Sequence, residues 1–107
     1  MIEIKYFERN NRYAISLKGH ADYAPHGQDI VCASVSSLVT ALGNYILDHF
    51  AEQKWIVLEV NLDIGDSNVE ILDESGNDIA KNLYHLVHEQ LQDIAELYPI
   101  NLKIFEN

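Results

Sequence analysis

Cysteine is almost missing from this chain of 107 residues, with Cys32 its sole representative. One thiol cannot close an internal disulfide, so nothing in the sequence demands an oxidising compartment, and the cytoplasm is the expected location. Positive charge is scarce as well: 7 Lys and Arg stand against 17 Asp and Glu, a formal net charge of −10. Lys5, Arg9, Arg12, Lys18, Lys54, Lys81 and Lys103 are scattered singly, whereas a nucleic-acid surface needs clustered cations to hold phosphates. An acidic body instead attracts basic partners, among them basic peptides and ribosomal proteins. No uninterrupted apolar run approaches the roughly 18 to 20 residues that span a bilayer, so no membrane segment is expected. The opening "MIEIKYFERNN" alternates charge and apolarity instead of building a signal-peptide core. Repeats, low-complexity tracts and linkers are also missing, so residues 1–107 are expected to fold as one unit.

What is there is an ordinary globular composition, 48% hydrophobic and 22% charged, patterned in alternating blocks. "IEIKYF" (2–7) and "RYAISLKG" (12–19) alternate as half-buried strands do, with the hairpin chemistry of "ERNN" between them. Val31, Val35, Leu38, Val39, Leu42 and Ile46 fall at helical spacing and predict an amphipathic helix over about 31–52. "WIVLEVNL" (55–62) and "NVEILD" (68–73) form a second strand pair joined through "DIGDS". A second helix is expected over about 77–97, with Ile79, Leu83, Leu86, Val87, Leu91 and Ile94 as its stripe. Ser75 or Asn77 could cap this helix, Pro99 follows it, and "INLKIF" (100–105) closes the chain as a strand. The expected fold is α+β in ββαββαβ order, a two-layer sandwich of a five-stranded mixed sheet with two helices on one face.

The chemistry-bearing residues concentrate in "GHADYAPHGQDIVCASVSSL", residues 19–38. Cys32 falls at the entrance of the first helix, where unpaired N–H groups and the helix dipole stabilise a thiolate and could hold an oxyanion. The competing reading is a buried, inert thiol, because lone cysteines are often core residues. His20 lies at the end of the second strand directly after Gly19. If the loop over 20–31 returns the chain, His20 can serve as base to Cys32; otherwise it is an exposed strand-end histidine. Asp29 can cap the helix or orient the His20 imidazole, and these two roles conflict. "DYAPHGQ" suits a lid with Gly27 as hinge, Tyr23 lining the pocket and His26 as a less well-mounted competitor for the base. Ser36 lies one helical turn after Cys32 on the same face.

Other signals are weaker. His85, His88 and Glu89 hint at a metal site, but the H-E-x-x-H spacing is absent and a solvated helix face explains them better. No EF-hand, phosphate-cradling loop or nucleotide fingerprint is present, so neither metal nor cofactor is expected.

Gly19, His20, Ala21, then Gly27 and Asp29, then Val31, Cys32, Ala33 and Ser36 together resemble the signature of the ribosomal-processing cysteine proteases, the Prp family. The resemblance covers the chain length and the ββαββαβ order. It implies a cytoplasmic cysteine endopeptidase, a homodimer in its relatives, with Cys32 as nucleophile and His20 as proton acceptor. The implied substrate is the N-terminal extension of the precursor of large-subunit ribosomal protein L-twenty-seven. Asp29 and Ser36 match the motif without an assigned role. A different class of function, a non-catalytic module that holds a basic ribosomal protein or assembly factor by strand addition with Cys32 in the core, is the alternative.

Overall fold

The computed structural model describes residues 1–25 and 27–106. Its elements run β1 (Ile2–Arg9), β2 (Arg12–Lys18), α1 (Ile30–Gln53), β3 (Trp55–Asp63), β4 (Asp66–Asp73), α2 (Ile79–Leu97) and β5 (Leu102–Glu106). The expected ββαββαβ order and the five-stranded mixed sheet are both present, with sheet order β3-β4-β2-β1-β5. Four strands pair antiparallel and β5 joins β1 in parallel. Asn10 and Asn11 turn the first hairpin with φ of 51° and 64°, the paired left-handed geometry that suits strand twist and that asparagine tolerates.

Alternation in the strands sorts the sheet into two faces. Ile2, Ile4, Tyr6, Tyr13, Ile15, Leu17, Val69 and Ile71 point into one core beneath the helices. From α1 the core receives Val31, Val35, Val39, Leu42 and Ile46, the stripe expected from the sequence save for Leu38, which is only partly buried. Each fully buried Val, Leu or Ile contributes roughly 1.5–3 kcal/mol, so this stripe fixes the start of α1 firmly on the sheet.

Two expectations need correction. The buried stripe of α2 is Ala80, Tyr84, Val87, Leu91 and Ile94, while Leu86 is 67% exposed and Ile79 lies at the surface. Tyr84 sets the phase: its ring fills the core and its hydroxyl donates to the Val69 carbonyl at 3.0 Å, so burial leaves no polar atom orphaned. Second, α1 has 24 residues with an 18-residue stretch of mean hydropathy 1.7, long and apolar enough to cross a membrane. Ser, Thr and Asn interrupt its apolar runs without adding charge, which is why counting runs missed it. In the fold this apolar surface is divided between the core stripe and outward-facing Tyr45, Leu47 and Phe50. Of the two expected caps of α2, Asn77 supplies the bond: its Oδ1 accepts the Ile79 N–H at 3.1 Å, while Asp78, at the N-cap position, makes no side-chain bond.

Candidate active site

The chain leaves the sheet at Gly19. Its φ is +96°, and a β-carbon there would fall 2.5 Å from the Met1 carbonyl oxygen, so only glycine fits beside β1. The next residue, His20, is held from both sides by the backbone. Gly19 N–H donates to the carbonyl of Gly65, in the β3–β4 turn, at 3.0 Å. Beyond His20, the Ala21 carbonyl accepts from Asn101 Nδ2 at 2.9 Å in a buried setting, and the Asn101 carbonyl accepts the Ile2 N–H. The imidazole itself is exposed at this rigid strand end.

Asp29 then starts α1. Its Oδ1 accepts the Cys32 N–H at 2.9 Å and its Oδ2 accepts the Tyr23 N–H at 3.0 Å, so one carboxylate caps the helix and closes the loop. Partial desolvation pushes its carboxyl upward, but N–H groups of Cys32, Tyr23, Ala24 and Val31 outweigh this and hold it below the usual carboxylate range. Both oxygens are engaged by backbone N–H groups, so Asp29 serves as the helix cap. The same bonds occupy first-turn donors: the Cys32 N–H is taken by Asp29 Oδ1, and the Ala33 N–H by the Asp29 carbonyl at 3.0 Å.

Cys32 follows in the first turn of α1, between buried Val31 and Val35, which gives the sulfur a rigid mount. The thiol is free and half-buried, packed against the core on one side and lining a cavity of about 550 Å³ on the other. His20, Asp22, Gly27, Asp29 and Ser36 line the same cavity. The loop therefore returns the thiol to the cleft that the imidazole lines. Gly27 has φ +87° with open space around it. Tyr23 is not among the lining residues; its ring stacks edge-on against Tyr98 with centroids 5.3 Å apart. His26, the competing base, lies outside the described residues.

The remaining histidines have structural partners. His85 Nε2 lies 2.6 Å from Glu8 Oε1, tying α2 to β1, and His88 stacks on Tyr6 with ring centroids 3.9 Å apart. Among the described residues no group of three His, Cys, Asp or Glu side chains is placed to hold a metal. Sequence reasoning missed Asn101 and Gly65 as supports of the His20 segment. Asn101 reads as an ordinary strand start, and Gly65 as turn chemistry; only strand pairing brings them to residues 19–21.

A thiol at a helix entrance and an imidazole at a strand end line one cleft, the two kinds of group that hydrolases attacking through sulfur require. The chain belongs to the cysteine protease Prp family, whose model matches residues 1–103. It is 32% identical over 104 residues to the ribosomal processing cysteine protease Prp of Bacillus subtilis (strain 168), covering 88% of this chain and 85% of that protein. To the protein of the same name from Staphylococcus aureus it is 29% identical over 91 residues, covering 84% and 82%. The fold superposes on a crystal structure of the S. aureus protease with a covalently linked product peptide, with TM-score 0.81, 23% identity and 100% of both chains covered. A second S. aureus structure, with a substrate peptide, matches with TM-score 0.72 and 24% identity, again over 100% of both chains. Family membership favours the protease over the binding-module alternative.

Proposed function

We propose that this protein removes the N-terminal extension of large-subunit ribosomal protein L-twenty-seven by a Cys-His thiolate mechanism. The observation that carries this reading is the shared cleft, with the chain's only thiol and the His20 imidazole lining one cavity of peptide-sized volume. Relatives named as ribosomal processing proteases, one of them crystallised with peptide, support a peptide of ribosomal origin as the substrate. Asp22 and Asp29 in the cleft and the net charge of −10 suit a basic partner.

In the proposed reaction His20 accepts the Cys32 thiol proton as sulfur adds to the scissile carbonyl carbon. The resulting tetrahedral oxyanion needs N–H donors. At the helix end these are held by Asp29, so an oxyanion placed there exchanges with the Asp29 carboxylate. Collapse breaks the C–N bond, and protonated His20 gives its proton to the departing amine. Water, deprotonated by His20, then cleaves the thioester, releasing a carboxylate and restoring the thiol. We further place the enzyme in the cytoplasm as a homodimer, with no cofactor and no role for nucleic acid or membrane. The single cysteine and the acidic surface are consistent with that setting.

Incubating the precursor of the ribosomal protein with this chain, and reading the new N-terminus by mass spectrometry, tests the substrate. One cut that frees the mature end is the expected result. An uncut precursor, or equal trimming by Cys32→Ala, would refute the assignment. Sedimentation of the purified protein reads the dimer directly.

A further inference from the structure

The His20 ring is exposed, and an exposed histidine gains little from packing to choose one orientation. One side of it lies close against the β3–β4 turn. A β-carbon on Gly65 would lie 2.9 Å from both Cε1 and Nε2 of His20, so this edge of the imidazole rests on the bare α-carbon of the β3–β4 turn. The contact is rigidly indexed, because Gly19 N–H donates to Gly65 O at 3.0 Å and Lys18 pairs with Asp66 in the β2–β4 ladder. Gly65 also has φ +70°, so the turn itself favours glycine. Two separate demands therefore fall on one residue, and only one of them concerns the imidazole.

We propose that Gly65 is a positioning residue for His20, its missing side chain forming the seat that fixes the imidazole against the cleft shared with Cys32. The proposal rests on His20 being the base. A methyl at position 65 would crowd the far end of a side chain, while the nearest backbone atom, the Gly19 carbonyl oxygen at 3.5 Å, stays at ordinary contact distance. The ring gives way, at small cost to the fold and large cost to its alignment. Misplacement by about an ångström is enough to slow a reaction by two orders of magnitude.

Gly76 supplies the matched control: its φ is +77° and a β-carbon there meets nothing within 4 Å. Gly76→Ala thus carries the backbone strain alone. We expect Gly65→Ala and Gly76→Ala to lower Tm to a similar extent. Only Gly65→Ala should lower kcat on a peptide spanning the ribosomal-protein junction, by between about tenfold and a hundredfold, with KM within about twofold. The same variant should move the His20 Cε1–H resonance in NMR, while Gly76→Ala leaves it in place. If Gly65→Ala fails to fold, Gly65→Asn brings a β-carbon to the same place on a residue that tolerates positive φ.

The proposal stands when rate and resonance shift together. It is overturned if Gly65→Ala cleaves like Gly76→Ala, or if either quantity changes without the other. His20→Ala separates the two ideas. Full activity in that variant removes the base assignment itself. A dead His20→Ala beside a normal Gly65→Ala removes only the seat.

Discussion

The chain passes from sheet to helix twice, and the two passages are built differently. After β2 it takes the eleven residues 19–29 to reach α1, and after β4 only the five residues 74–78 to reach α2. Both arrive through an aspartate. Asp29 caps α1 with its carboxylate, whereas Asp78 makes no such bond and Asn77 satisfies the first turn instead. The long passage leaves a cleft of about 550 Å³ lined by a thiol and an imidazole. Beside the short one lies a polar depression of about 330 Å³ with Glu8, Arg9, Asp73, Asp78 and Lys81 at its walls. A helix start alone is therefore not a site. Loop length that returns the helix entrance to the strand end, with supports to hold that strand end still, makes the difference.

Four substitutions test this contrast, taken from the largest expected effect down. Cys32→Ala should reduce peptide cleavage to background while the circular dichroism spectrum stays native, since alanine fits a half-buried helical position. His20→Ala should lower kcat/KM by about 10²–10⁴ and slow Cys32 alkylation by iodoacetamide, with a comparable rate in both proteins breaking the contrast. Asn101→Ala removes the donor to the Ala21 carbonyl and should cost about 1–3 kcal/mol in urea unfolding. It should also lower kcat more than KM, because it frees the His20 segment; an unchanged kcat would show that the Gly19 side suffices. Asp78→Ala, at the short passage, should leave cleavage within about twofold, because no bond of its side chain supports either helix or cleft.

Asp29 sharpens the comparison through pH. Its carboxyl is held below the usual range by N–H donors, so the folded state prefers the ionised form. That contribution is complete above the ordinary carboxylate pKa and disappears as pH falls through the lowered folded value. Asp29→Asn keeps one acceptor, enough for the helix cap at the Cys32 N–H, but loses the charge and the second oxygen that accepts from Tyr23. The Tm gap between wild type and Asp29→Asn should be widest near neutral pH and shrink in acid. A gap independent of pH would mean that the charge has no part in holding the loop.

Much of this architecture was legible from periodicity. Alternation in 2–7 and 12–19 and the spacing of Val31 through Ile46 predict strands and a helix that the structure contains, within a residue or two at most ends. The stripe of α2 departs from simple apolar spacing because Tyr84 joins the core, its hydroxyl finding a carbonyl and so tolerating burial. Cys32, His20, Asp29, Gly27 and Ser36 were legible because they are close in sequence, and the structure gathers all five around one cleft. Asn101, 80 residues from Ala21, was not, and neither was Gly65. Their place depends on β4 lying beside β2 and on the start of β5 beside β1, long-range pairings that no local pattern encodes.

The ladder between β2 and β4 has a bearing on how this protein can evolve. Hairpin tips in most sheets accept an extra residue, because nothing downstream depends on their count. Here Lys18 faces Asp66 and the following strand end is bonded to the tip. An off-by-one insertion there would bring a bulky neighbour, Ile64 or Asp66, to the imidazole's side of the turn. The length of that tip therefore bears on the cleft, although the tip itself lies outside it.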